Sequence, residues 1–195
     1  MNGWLHELMG FRIAILASGS GTNAQRLVEH FAGHQKAEVV FIGTDNPRAG
    51  VISRAWDLGV PLFLFDKAML RDGRLQAELT SQRIDLVVLA GFMQLITAEL
   101  VRAFPRRIVN IHPALLPKFG GKGMYGDRVH AAVLAAGDRE SGITIHYVNE
   151  HYDEGEHLAQ FRCPVLSGDT VAALSDRIHA LEHAHYPSVV EGLVR

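Results

Sequence analysis

The sequence predicts an α/β fold: an open, mostly parallel twisted sheet flanked by helices. Three observations carry this reading. Short apolar runs alternate with apolar stripes of helical period along the chain. A glycine-rich turn, Ser18-Gly19-Ser20-Gly21-Thr22-Asn23, joins the first run to the first stripe. Residues 85–91 are apolar at nearly every position, the pattern of a strand buried on both faces.

Taken in order, residues 12–17 form the first strand and lead directly into the glycine turn. Ala24, Leu27, Val28 and Phe31 then recur at i, i+3, i+4 and i+7, a helix packed on the sheet. Residues 39–42 read as a second strand closed by Asp45-Asn46-Pro47, and a helix follows to Leu58-Gly59. Residues 61–65 form a third strand. Its leading Pro61 has no N–H for a ladder, which suits an edge or a first position. One helix over 71–84 leads to the strand at 85–91, which belongs at the sheet centre. A short helix over 97–104 precedes a strand at 107–110. Residues 113–127 hold Gly120, Gly121, Gly123 and Gly126 without a period and read as a long loop. Val129, Ala132, Val133 and Ala136 restore the helical stripe. Ile143, Ile145 and Tyr147 then alternate with Thr144, His146 and Val148, a strand with Thr144 and His146 on one face. Cys163 lies in a further strand. The last helix carries Val171, Leu174, Ile178 and Leu181 on one side, with a break expected at Pro187 and with His183 and His185 as ordinary helix residues beside it.

At 195 residues the chain suits one substantial core, so we expect a short leader over residues 1–10 and a single domain over 11–195. Hydrophobic residues at 48% and charged residues at 21% give the balance of an ordinary soluble globular protein. Nineteen Lys plus Arg against 21 Asp plus Glu leave a net charge of -2, so no basic excess advertises a nucleic-acid partner. No apolar run reaches membrane-spanning length, and residues 1–10 lack the basic start and long apolar stretch of a signal peptide. The lone Cys163 has no partner for an intramolecular disulfide, and its flanks read as a packed or edge strand. The expected location is the cytoplasm, and the expected assembly a monomer or homodimer.

The strand near the middle ends in Asn110-Ile111-His112-Pro113. Residues i and i+2 of a strand share a face about 6.6 Å apart, so Asn110 and His112 point together while Ile111 packs behind. Pro113 holds His112 in extended backbone. The same residues would also suit a strand that simply ends in a polar turn. The glycine turn between a strand and a helix N-terminus is an anion site, with Thr22 and Asn23 suited to a terminal phosphate. It also satisfies the dinucleotide fingerprint, with Asp45 near the place of a ribose-binding acid, so an NAD(P)-dependent oxidoreductase or a nucleotide-binding module is the alternative reading. Asp153 sits in a turn after the His146 strand. If it approaches His112, it would raise that histidine's pKa; its other reading is turn geometry. Phe92, Met93, Gln94, Leu95 and Ile96 follow the central strand and could line a slot for a flat heterocycle, or pack the core. Eleven histidines show neither H-E-x-x-H nor a cysteine pair, and most fall on predicted helix surfaces or loops, so no metal is expected.

Together Ser18-Gly19-Ser20-Gly21-Thr22-Asn23, Leu89-Ala90-Gly91-Phe92-Met93, Asn110-Ile111-His112-Pro113 with Leu115-Leu116-Pro117, and His146 followed by Asp153 resemble the folate-dependent phosphoribosylglycinamide formyltransferase family. The resemblance runs from about Arg12 to the C-terminus. It implies a Rossmann-like formyltransferase fold and transfer of a formyl group from 10-formyltetrahydrofolate to the amine of glycinamide ribonucleotide, in purine biosynthesis, without a metal. By the same resemblance Asn110, His112 and Asp153 are catalytic, and Gly21, Thr22, Asn23 and Glu182 bind substrate. Phe92, Met93, Gln94, Leu95 and Ile96, with Asn110, bind the folate. The chain departs from the family at Lys67-Ala68, where many members carry an arginine that Arg71 could replace, and in the loop Lys122-Gly123-Met124-Tyr125-Gly126. Related formyltransferases acting on methionyl-tRNA, and formyltetrahydrofolate hydrolases, are expected to need additional domains.

Overall fold

The computed structural model describes residues 10–195. Strand β1 (Phe11–Leu16) pairs in parallel with β2 (Ala37–Thr44) on one side and with β4 (Leu86–Leu89) on the other. The short β3 (Leu62–Leu64) adds to β2 in parallel, and β5 (Ile108–His112) adds to β4 in parallel. Antiparallel β6 (Glu140–Tyr147) and β7 (His157–Pro164) complete the order β3-β2-β1-β4-β5-β6-β7. The apolar run at 85–91 thus supplies the middle strand, every residue of β4 being buried. The strand behind Pro61 is the edge.

Each face of the sheet carries its own core. Helices α1 (Thr22–Phe31), α2 (Val51–Asp57), α6 (Asp127–Ala136) and α7 (Val171–Glu191) bury Leu27, Val51, Val133 and Ile178 against one face. Helices α3 (Lys67–Arg71), α4 (Arg74–Ser81) and α5 (Ala98–Ala103) bury Leu70, Leu79 and Leu100 against the other. Chain order reverses direction between β1 and β4, so the crevice beyond their carboxyl ends is the place where such a sheet holds a ligand.

Three expectations need correction. The helix expected over 71–84 is two helices, because Gly73 adopts φ +86 and Asp72 accepts from the Arg74 amide at 3.2 Å, ending one helix and starting the next. The expected break at Pro187 does not occur. Pro187 lacks the N–H that would bond one turn back, yet α7 continues to Glu191 because Tyr186, Pro187 and Val190 are all buried, and that packing outweighs a lost hydrogen bond. The strand expected at 107–110 runs on to His112, so both polar residues of the Asn110–His112 pair sit on regular β5. The expected leader falls outside the described residues, apart from Gly10.

Candidate active site

The register of β5 against β6 assembles the centre of the site. Asn110 lies opposite His146, and His112 opposite Thr144, so the alternation of two strands stacks four polar side chains on one face. His146 gives its Nδ1–H to the Tyr147 carbonyl at 2.9 Å. That leaves Nε2 as acceptor for the Asn110 amide at 3.2 Å, which fixes how the amide is turned. Asp153 reaches both rings, with Oδ2 at 3.4 Å from His112 Nδ1 and Oδ1 at 3.7 Å from His146 Nε2. Its Oδ2 also accepts from the Gly121 amide at 2.9 Å, and its backbone holds φ +56 to do so. Asp153 therefore meets His112, as one reading of the sequence required.

The direction of the His112 shift differs from the sequence expectation. Burial pushes the His112 pKa below the ordinary imidazole value, outweighing the opposing pull of Asp153 and of the Phe119 carbonyl. His112 gives its Nε2–H to that carbonyl at 2.8 Å, which leaves Nδ1 facing Asp153. The 3.4 Å gap agrees: it exceeds the roughly 2.7–2.9 Å of a charge-assisted N–H···O bond. For Asp153, burial alone would raise the carboxyl, but the two imidazoles beside it, His146 first and then His112, and the Gly121 N–H together hold it below the ordinary carboxylate value. The resting pair is an ionised Asp153 beside a histidine biased toward neutrality.

At the carboxyl end of β1, Gly21 takes φ +78, and a Cβ there would come within 2.8 Å of the Val51 Cα. Only glycine fits, because α2 is docked onto the loop through the Val51 amide to the Gly19 carbonyl at 3.1 Å. Arg54 of α2 braces the loop from beneath, its Nε donating to the Ser20 carbonyl at 2.8 Å and its guanidinium bonding Gln25. The first turn of α1 thus presents Thr22 and Asn23 to the crevice. The Asn23 side chain is turned to α7, where its Nδ2 donates to Glu182 at 2.8 Å. Burial raises the Glu182 pKa, against the Asn23 bond.

One cavity of about 670 Å³ joins these parts. It is lined by Gly21, Thr22, Asn23 and Glu182, by Asn110, His112 and Asp153, and by Phe92, Met93, Gln94, Leu95 and Ile96. Met93 and Leu95 are 43% and 40% exposed, whereas Ile96 is 2% exposed and belongs to the core under α5, the second of its two sequence readings. Lys67 and Arg71 are not among the lining residues; the cations there are Lys122 and Arg128, the latter stacked over Tyr125 at 5.0 Å.

Most of the described histidines are partly or fully exposed, as the sequence reading expects, whereas His112, His130 and His146 are buried. His130 and His179 also line the cavity; the apolar stripe of α6 conceals His130 in the sequence, where it is buried beside Val129 and Val133. Asp45, the acid that the dinucleotide reading needed for a ribose, is taken by the Ser18 hydroxyl at 2.6 Å and does not line the cavity, so that alternative loses its specific feature.

The comparisons with known proteins agree with this geometry. The formyl transferase family model matches residues 11–190. A chloroplastic phosphoribosylglycinamide formyltransferase of Arabidopsis thaliana is 43% identical over 97% of this chain and 68% of its own length. That of Bacillus subtilis is 36% identical over 94% of both chains. The chain spans 60% of a further relative, from Vigna unguiculata. Among solved structures, glycinamide ribonucleotide transformylase 1 from Geobacillus kaustophilus superposes with a TM-score of 0.86 at 39% identity, covering 96% of this chain and all of that one. These relatives do not support the oxidoreductase alternative. By its matched length, its fold and these identities, the chain belongs to the formyl transferase family, on its phosphoribosylglycinamide formyltransferase branch.

Proposed function

We propose that this protein transfers a formyl group from 10-formyltetrahydrofolate to the amine of glycinamide ribonucleotide. The observation that carries the proposal is the single cavity whose lining joins Asn110, His112 and Asp153 to a glycine loop at a helix N-terminus and to the apolar side chains of residues 92–96. The phosphate of the ribonucleotide belongs at Gly21, Thr22 and Asn23, and Glu182 faces the remainder of that substrate. The folate heterocycle belongs against Phe92 to Leu95, a slot whose exposed Met93 and Leu95 offer flat apolar contact. Lys122 and Arg128, which also line the cavity, are the cations available to its acidic tail. The buried, unpaired Cys163 fits a reducing compartment such as the cytoplasm. Among the described residues no helix is long and apolar enough to cross a membrane.

In the reaction the amine nitrogen bonds to the formyl carbon, the carbonyl oxygen takes up the electron pair, and collapse breaks the bond to the folate N10, which receives the proton lost by the amine. Asn110 supplies an oriented N–H donor to the oxyanion. His112 stabilises it as the imidazolium, the form that Asp153 favours and burial resists. Because its Nε2–H is held by the Phe119 carbonyl, direct donation requires the 118–126 segment to give up that contact. Asp153 keeps the charge balance of the pair and, through water, a route for the migrating proton.

A transfer assay with both substrates tests this. Asn110→Ala and His112→Ala are each expected to lower kcat by about 100- to 1,000-fold, with KM values changed far less, since the lost interaction is made in the transition state. Wild-type protein that binds NAD tightly and gives no formyl transfer would overturn the reading.

A further inference from the structure

Ser18 lies outside the cavity lining and is 8% exposed, yet each of its polar atoms is bonded across the crevice. Its amide donates to the Gly91 carbonyl at 3.0 Å, and its own carbonyl accepts from the Asn46 side chain at 3.1 Å. Its hydroxyl accepts from the Met93 amide at 3.0 Å and donates to Asp45 Oδ1 at 2.6 Å. A hydroxyl has one hydrogen. The Met93 amide can only donate and the Asp45 carboxylate only accept, so the direction of both bonds is fixed. The short bond to an anion polarises the hydroxyl and makes it a better acceptor for the amide behind it. Met93 lies in an irregular segment, residues 90–97, without a strand or helix ladder of its own. Its position therefore depends on this side chain.

We propose that Ser18, set by Asp45, is a positioning residue for the heterocycle slot, holding the backbone at Met93 in register with the anion-binding loop that begins one residue further on. The slot is then tied to β1, and through Asp45 to the end of β2, and not only to the strand β4 from which it emerges. This proposal rests on the formyl-transfer reading only for what the slot binds; the bonds themselves are independent of it.

The test is hydrogen exchange of the ligand-free protein followed by the transfer assay. In Ser18→Ala the Met93 amide is expected to exchange about tenfold faster, the loss of one hydrogen bond, while the Ala90 and Val51 amides, bonded to Leu16 and Gly19, keep their protection. The KM for 10-formyltetrahydrofolate is expected to rise about five- to tenfold, with kcat and the KM for glycinamide ribonucleotide within about twofold. Ser18→Thr, which keeps the hydroxyl, restores both. Unchanged Met93 exchange in folded Ser18→Ala overturns the proposal, as does an equal rise in both KM values. Should Ser18→Ala not fold, Asp45→Ala is read in the same way: faster Met93 exchange supports the proposal and unchanged exchange rejects it. A wild type that turns over neither substrate defeats the formyl-transfer reading, and the exchange result alone then decides for Ser18.

Discussion

Thr144 has no solvent exposure and one hydroxyl hydrogen, which it gives to the Ala114 carbonyl at 2.7 Å while accepting from the Leu116 amide at 3.0 Å and from Gln160 at 2.9 Å. It therefore sets the first turn of the segment whose Phe119 carbonyl restrains His112. Thr144→Val keeps the shape but strands a buried N–H and a buried C=O, so a loss of about 2–4 kcal/mol is expected in denaturant unfolding, with Thr144→Ser close to wild type. At this scale the sequence was partly legible. Strand parity and Pro113 were enough to pair Asn110 with His112, and parity again put Thr144 and His146 on one face. The Phe119 carbonyl was not legible, because a backbone acceptor in a loop leaves no side-chain trace. Nor was the direction of the His112 shift, since burial depends on what the tertiary fold packs around the ring.

At the scale of elements, α7 is the part that departs most from local rules. It carries Pro187 through an unbroken helix, and just before the proline Tyr186 reaches across to the sheet, its hydroxyl donating to the Leu89 carbonyl at 2.9 Å. Tyr186 is fully buried and lies beneath the site without lining it. Tyr186→Phe is expected to cost about 1–2 kcal/mol, seen as a fall in Tm of about 2–8 °C. The type of nearly every element was readable from period and punctuation, including the edge position behind Pro61 and the buried middle strand. The split at Gly73 and the continuity at Pro187 were misjudged for opposite reasons. A glycine tolerated in a helical pattern here takes a left-handed turn, and a proline that should stop a helix is held by burial.

For the whole molecule, pH is the variable that reaches the site and the fold together. Burial lowers the pKa of His112 and of His130 below the unfolded value of about 6.5, and Asp153 is also held below its ordinary value. For each group the unfolded chain binds more protons in the window between its two pKa values, so stability rises with pH across that window. Acidification from about pH 7 to about pH 5 is expected to lower Tm, first through the histidines, with Asp153 contributing only at lower pH. Removing one titration with His112→Asn flattens the slope measured by thermal unfolding. An equally steep slope in His112→Asn would show that His112 does not carry this dependence.

The carboxylate of Asp153 holds the Gly121 amide with the same oxygen that faces His112. The anchoring of the glycine-rich segment at Gly121 and the electrostatics beside His112 thus draw on one anion. A proton placed on that oxygen weakens both together. Loss of formyl transfer and loss of hydrogen-exchange protection at the Gly121 amide are therefore expected to follow the same acid titration.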